Sequence, residues 1–414
     1  MPSTRVAGIN RRHAPIGSRR WILSLAALTG TTALSIDMSL PAQPTFASEF
    51  SITPDVAQLT LGLFLAGFAL GQLVTGFLSD ALGRRPVLLA GLAVFTAAGV
   101  ACASAPSIEF LLAARIVQGL GAAASPVMAR AMVRDTQPAA GAARMLSTIM
   151  AVIALAPMLA PSLGGFLLTH IAWQAIFVAL AAIGVLFSAM SAFTLPETLP
   201  PERRVPLSLR SIFASFALFF RTPGTLIPTV LVCLSFAGQF AFIADLPFVL
   251  IERFQVRSDV FGLYFAATAL ALMLGSIGGR RWLLRHSPER VLATGALTLC
   301  AGGVLAALGV GLAALGRFGL MVPALVYFVG IGLTSPSATA TAMHPVPEIA
   351  GTASATIGAL TMLTGATSGY VTTRIGGNDP GTLGRVMGSV GLIAAAIVLC
   401  TKRRAARSAR STTR

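Results

Sequence analysis

The chain is poor in charge. Asp, Glu, Lys and Arg make up 11% of its 414 residues, whereas 55% are hydrophobic. Soluble domains carry roughly 25% charged residues, so an ordinary soluble globule is excluded and a polytopic membrane protein is indicated. Cysteine and histidine are scarce, four of each. Cys102, Cys233, Cys300 and Cys400 fall singly in apolar runs, which predicts neither a disulfide framework nor a thiolate metal site. His13, His170, His286 and His344 are scattered over a tail and loop edges and form no ligand cluster. No metal, no cofactor and no enzymatic activity are therefore expected. Acids are the rarest charges, with 14 Asp+Glu against 30 Lys+Arg and a net charge of +16.

That excess could suggest a nucleic-acid binder, but its placement argues for a membrane. A span needs about 20 apolar residues. Runs of this kind cover about 22–43, 56–79, 86–105, 109–132, 142–168, 173–195, 225–251, 259–280, 290–314, 318–342, 350–373 and 382–400, which predicts twelve helices. The first is too long, and too poor in a cleavage site, for a signal peptide. With the N-terminus inside, the outer loops hold only Arg253, Arg257, Arg317, Arg374 and Arg385, and Arg115 lies within span 4. The other Lys and Arg all fall on the inner side, the positive-inside pattern of a multi-pass cell (inner) membrane protein with both termini cytoplasmic.

The longest internal polar segment, 196–223, divides the spans six and six. The expected organisation is a basic tail (1–21), a six-helix bundle (22–195), a cytoplasmic linker (196–223), a second six-helix bundle (224–400) and a basic tail (401–414). Within the linker, 207–220 reads as a short amphipathic helix on the inner membrane surface. Small residues recur every four positions in span 2 (Gly67, Gly71, Thr75), span 5 (Ala156, Ala160, Gly164), span 8 (Ala267, Ala271, Gly275) and span 11 (Thr361, Gly365, Gly369). Such stripes let helices approach closely, and close packing between the two bundles is expected from them.

Against this apolar background Asp37 stands out. A charge inside a span costs a few kcal/mol even on lenient scales, so it must be paired, hydrated or part of a mechanism. It lies about six residues from the expected outer end of span 1, roughly 9 Å at 1.5 Å per residue. Arg115 lies at a similar depth in span 4, so a pairing of the two, or a shared water-filled cavity, is geometrically possible. Asp245 is a second acid at comparable depth, in span 7, placed to meet a cationic cargo or to sit near the outer mouth. Glu109, Glu252 and Glu348 fall at span ends and are expected to be interfacial.

The loop between spans 2 and 3 reads Gly76-Phe77-Leu78-Ser79-Asp80-Ala81-Leu82-Gly83-Arg84-Arg85-Pro86. Gly76 and Gly83 allow close approach and a sharp turn, and Asp80 can pair with Arg84 or Arg85. The string resembles the signature loop of the major facilitator superfamily. Asp37-Met38-Ser39-Leu40-Pro41 is similar to the D-M-Y-L-P motif of that superfamily's bicyclomycin-resistance/CflA-type drug exporters. Arg115-Ile116-Val117-Gln118-Gly119-Leu120-Gly121 resembles the fourth-helix motif R-x-x-Q-G-x-G. Ala156-Pro157-Met158-Leu159-Ala160-Pro161-Ser162-Leu163-Gly164-Gly165 resembles the fifth-helix antiporter motif, and Trp173-Gln174-Ala175-Ile176-Phe177 the W-R-x-I-F that follows. Ala350–Ala355 opens span 11 in the manner of the same subgroup. Ser39 departs from the usual tyrosine and Gln174 from the usual arginine. The second-half counterpart of the signature loop, 275–285, keeps Gly278, Gly279, Arg280, Arg281 and Arg285 but lacks an acid.

The resemblance implies an all-α fold of twelve transmembrane helices in two six-helix halves. It also implies export of small amphipathic drugs in exchange for protons, with the proton gradient as the driving force. Asp37 and Arg115 would then serve coupling or cargo; Asp245, where the subgroup usually has a small or polar residue, is a candidate for that role on its depth alone. Asp80 and its arginines would gate, and Pro157, Pro161, Gly164 and Gly165 would seal and flex the interface between halves. The expected partners are a drug or metabolite, protons and the bilayer, with no nucleic acid and a monomeric state. An exporter of a metabolite or amino acid on the same scaffold, or a non-transporting membrane receptor or scaffold, are the alternatives.

Overall fold

A computed structural model of the chain describes residues 14–138, 141–142, 145–146, 148–149, 155–205, 209–309, 316–376 and 379–412. His13, the tail before it, and most of the expected start of span 5 (143–154) lie outside the described residues. Every regular element described is helical. Eleven helices are long and apolar enough to cross a membrane. They are span 1 (Arg19–Glu49), span 2 (Pro54–Leu82), span 3 (Arg84–Ala103), span 4 (Ile108–Thr136), span 6 (Gln174–Thr194), span 7 (Leu226–Arg253), span 8 (Ser258–Leu283), span 9 (Pro288–Gly309), span 10 (Phe318–Met343), span 11 (Pro347–Gly376) and span 12 (Pro380–Thr401). Ala156–His170 is the described part of span 5 and makes the twelfth.

Local chemistry sets several boundaries. Ser18 and Ser107 cap spans 1 and 4 by accepting hydrogen bonds from Trp21 N and Phe110 N. Pro54 opens span 2 in its first turn, where a missing N–H costs nothing. Gly83, with φ +106°, makes the corner between spans 2 and 3, a conformation that suits glycine. Span 1 is not one regular helix. Its first segment ends at Asp37, a 3₁₀ turn follows over Leu40–Ala42, and a short helix runs Gln43–Glu49. Pro41 and Pro44 withhold the N–H groups a continuous helix needs there.

The span therefore reaches Glu49, and Asp37 lies about 18 Å of helix from that end, twice the depth expected from the apolar run.

The small-residue stripes pack mostly within halves, with Gly369 as an exception that also meets Gln58 of the other half. A Cβ at Gly67 would strike the backbone of Ile116, and one at Gly71 that of Leu120, so span 2 is pressed on span 4. Gly164 meets Met38 of span 1, Gly275 meets Val329 of span 10, and Gly365 meets Phe240 of span 7. The seam between halves is made by span 2 against span 11 and span 5 against span 8. There Gly62 faces Ala366, Gln72 faces Gly358, Gly165 abuts Ser258, and Gly262 abuts Ser162.

The two ends of the molecule differ. At the end opposite the 196–223 linker, Leu40–Ala42 packs on span 7, and the helix Gln43–Glu49 packs on the π-helical turn Phe248–Arg253. An ion pair from Asp55 to Arg374, 3.5 Å, joins spans 2 and 11 there. This far end is closed. At the linker end, residues 197–205 are strapped to the first half by hydrogen bonds described below. The helix Leu209–Arg221 packs instead against span 11, with Phe219 fully buried and its carbonyl accepting from Thr225 Oγ1 at 2.8 Å. Phe213 and Phe220 stay exposed (69% and 45%), as an apolar face lying on lipid requires.

Candidate functional site

Span 4 carries the guanidinium of Arg115 into the middle of the first half. The residue is fully buried, and each of its nitrogens has work. Nε donates to the Thr60 carbonyl (3.0 Å), Nη1 to Gln118 Oε1 (2.7 Å), and Nη2 to the Ser35 carbonyl and Ser39 Oγ (3.4 Å each). The Phe64 and Phe177 rings flank it at 4.4 and 5.5 Å, a cation–π setting that favours arginine over lysine. One turn on, Gly119 lets the backbone of Phe64 in span 2 approach, and Gly121 does the same for Phe95 in span 3. The fourth-helix motif is thus a packing device: Arg115 and Gln118 tie spans 1, 2 and 4, and the two glycines remove the Cβ atoms that would hold spans 2 and 3 away.

The expected pairing of Asp37 with Arg115 is not formed. Among the described residues no hydrogen bond or ion pair within 4 Å reaches the Asp37 carboxylate, which is 5% exposed. The reason is azimuth. Ser35 and Ser39, four residues apart, share the face of span 1 that Arg115 grips. Asp37, two residues from each, is turned about 200° away at 100° per residue. Met38, the next residue, is held against Gly164 of span 5.

Asp245 is fully buried in span 7. Thr373 Oγ1 of span 11 donates to its Oδ1 at 3.1 Å, and its Oδ2 has no partner among the described residues. It sits at the closed far end, next to the Asp55–Arg374 bridge, and no polar contact links it to Asp37 there. Glu109, Glu252 and Glu348 are exposed at span ends, as expected.

The signature loop holds more than its own residues. Arg84 pairs with Asp80 (2.5 Å) and with Asp135 at the end of span 4 (2.9 Å), and also donates to Ser79 Oγ (2.7 Å). Arg85 reaches the Ala192 carbonyl of span 6 (2.8 Å). The Glu197 carboxylate accepts from the backbone N–H groups of Arg84 (2.9 Å), Arg85 (3.1 Å), Thr198 and Leu199 (2.9 Å each). It thereby caps the positive end of span 3. Val205 N donates to the Asp80 carbonyl (3.0 Å), closing the strap. Gly83 needs to be glycine because of its φ of +106°, and a Cβ there would also displace Glu197 Oε2, 2.6 Å away, whereas a Cβ at Gly76 would meet nothing within 4 Å. Sequence reasoning missed Glu197 and Asp135; the pattern Pro196-Glu197-Thr198 just before a helix-rich basic loop was the available signal. Glu197→Gln is expected to cost about 1.5 kcal/mol, since it weakens charge-assisted bonds. Limited trypsinolysis at Arg203 and Arg204 checks this; a cleavage rate equal to wild type would refute the strap.

In the fifth-helix motif, Pro157 lies in the first turn described and Pro161 inside the helix, where it removes a backbone donor. Gly164 and Gly165 point two ways, to span 1 of the same half and to Ser258 of the other. Trp173 then anchors the far end, its Nε1 donating to Glu49 Oε2 (2.7 Å) and its ring edge-on to Phe46 at 5.3 Å.

A family model described as Major Facilitator Superfamily matches residues 25–369. The chain is 33% identical over 392 residues to an uncharacterized MFS-type transporter, YdgK, of Bacillus subtilis, covering 93% of this chain and 95% of that one. It is 32% identical over 350 residues to a bicyclomycin resistance protein homolog of Haemophilus influenzae, covering 84% and 87%. It is 28% identical over 404 residues to multidrug resistance protein D of Escherichia coli, covering 92% and 94%. Among solved structures, the xylose transporter XylE from E. coli superposes with a TM-score of 0.69 at 16% identity, over 92% of this chain and 97% of that one, a likeness of fold alone.

Proposed function

The chain belongs to the major facilitator superfamily, and from that premise we propose that it exports small amphipathic drugs in exchange for protons by alternating access. It is a transporter and not an enzyme. The halves 22–195 and 224–400 would rock about a central site, with both termini and the linker in the cytoplasm, as the arginine distribution favours. The far end is then the outer end, and the conformation described is closed to the outside.

The single observation that carries the coupling assignment is the carboxylate of Asp37. It is buried in span 1, turned away from Arg115, and without a partner among the described residues. A carboxylate so placed has no fixed counter-charge to relieve its cost. A proton or a cationic cargo can each relieve it, and exclusion of one by the other is the physical core of antiport. In the outward-facing state Asp37 takes a proton and cargo leaves. In the inward-facing state the proton departs and cargo enters from the cytoplasm or inner leaflet. Arg115 acts as a static clamp that fixes span 1 rather than as the partner of Asp37. The names of the drug-resistance relatives support a drug as cargo.

One observation favours a smaller, more polar cargo such as a metabolite or amino acid. Ser39 stands where drug exporters of this type carry tyrosine, and its hydroxyl is buried against Arg115, so this corner offers no ring for a drug to stack on. Expression in cells stripped of their main exporters tests the reading. Lower accumulation of dyes or antibiotics, restored by a protonophore, is expected. Unchanged accumulation across a broad panel would overturn drug export.

A further inference from the structure

Three buried acceptor atoms toward the closed outer end lack hydrogen-bond donors among the described residues: Gln43 Oε1, Gln58 Oε1 of span 2 and Asp245 Oδ2 of span 7. The last two belong to opposite halves, and Gly369 of span 11 stands between the residue next to Asp245 and the Gln58 side chain. A Cβ on Gly369 would lie 3.0 Å from Ala244 Cβ, beside Asp245, and 3.1 Å from Gln58 Nε2. One turn further, Thr373 bonds both the Gly369 carbonyl and Asp245 Oδ1, each at 3.1 Å. The Asp245 and Gln58 side chains are both buried, with 0% and 1% exposure, and an unpaired buried acceptor is costly.

We propose that the carboxyl group of Asp245 is a proton-binding site of the outer gate, distinct from Asp37, and that its protonation closes that gate. A proton from the outer solution forms an O–H bond at Oδ2 while the gate is open. That atom becomes a donor, and the seam against span 2 offers it the orphaned oxygen of Gln58. One proton thus removes two unsatisfied acceptors and a buried charge. The surroundings supply no competing cation. Arg374, the next residue on span 11, is taken by Asp55 of span 2. Before span 12 stands Asp379, an acid and not a cation. Burial pushes the Asp379 carboxyl up, but hydrogen bonds from Gly381 N, Thr382 N and Thr382 Oγ1, with Arg385, bring it below the usual carboxylate range, so it stays charged. Arg385 is held by Asp379, the segment Leu40–Ala42 brings no charge, and span 10 brings only the neutral Tyr327. Glu252 and Arg253, on the turn that ends span 7, are exposed.

The proposal rests on the alternating-access reading but not on the identity of the cargo. Its test uses the full chain in lipid nanodiscs, without cargo, carrying spin labels at the exposed positions Thr53 and Ile375 on opposite halves, the native cysteines being replaced by alanine. Pulsed electron resonance reads the closed fraction between pH 8 and pH 6. The closed-to-open ratio of the otherwise unchanged chain is expected to rise on the order of tenfold, the most a single proton site can give per pH unit. Asp245→Asn, neutral throughout, is expected to be closed at every pH, while Glu109→Gln, which neutralises an exposed acid at the same end, keeps the pH response. A wild-type pH response in Asp245→Asn, or no response in the unmutated gate, overturns the proposal. If Asp245→Asn does not fold, Gln58→Met decides: the closing midpoint should move to lower pH, and an unmoved midpoint overturns the proposal. None of these outcomes bears on drug export, which the accumulation assay tests separately.

Discussion

Cells expressing Asp37→Asn are expected to accumulate drug as if they carried no transporter, a loss in efflux rate on the order of tenfold or more, since a ligand drives a conformational cycle only through its differential affinity for the two states. Asparagine keeps the size and most of the hydrogen bonding of aspartate but binds no proton at physiological pH, so the gradient loses its handle. The protein should still fold. Asp37 makes no ion pair or hydrogen bond among the described residues, and removing its charge relieves a burial cost. Asp37→Glu should retain part of the activity, because it preserves an acid at the same azimuth. The measurement is dye efflux from preloaded cells with and without a protonophore, at matched expression. Wild-type efflux by Asp37→Asn that remained gradient-sensitive would remove Asp37 from the coupling role and leave the exporter assignment standing.

The second large effect concerns glycines of two motifs that look equally diagnostic. Gly119→Ala is expected to destabilise the protein by about 3 kcal/mol, the upper part of the usual range for overpacking, and to lower the yield of monodisperse protein severely. The new Cβ would overlap the Phe64 carbonyl and lie 2.8 Å from Phe68 N. Both are backbone atoms that cannot step aside unless span 2 leaves span 4. Arg115, which bonds the Thr60 carbonyl on the same span 2 surface, would lose its seat too. Gly76→Ala, with open space around it, should change stability by less than about 0.5 kcal/mol. Thermal challenge followed by size-exclusion chromatography compares the two. Equal behaviour would show that the close approach of spans 2 and 4 is not what Gly119 provides.

Periodicity and charge placement made the fold legible: each of the twelve apolar runs is a helix where described, and the one polar break joins spans 6 and 7. The motifs single out residues, but the relations among them are set by the fold. Depth along a helix can be counted from sequence, and it suggested that Asp37 and Arg115 meet. Azimuth decides contact, and the serines at 35 and 39 are the ones turned toward Arg115. The break at Pro41 and Pro44, which carries span 1 on to Glu49, hid behind a polar composition. The small-residue stripes are visible in the sequence, but which neighbour each glycine admits depends on helix order in space: most admit a helix of the same half, whereas Gly369 also meets Gln58 of the other. Glu197 gave only a weak signal because its four donors are backbone groups, which no sequence pattern displays.

The linker has a further mechanical meaning. On paper it is 28 residues long, from 196 to 223. Its first part is fastened to one half as far as Val205, and from Leu209 it is seated on the other. The linker is thus a tie with an anchor on each half: its first part moves with spans 2 and 3 through Val205 and Glu197, and its helix moves with span 11. Any rocking of the halves that parts span 3 from span 11 must load one of those anchors, so the bonds gathered on Glu197 resist opening at that end as well as holding a loop in place.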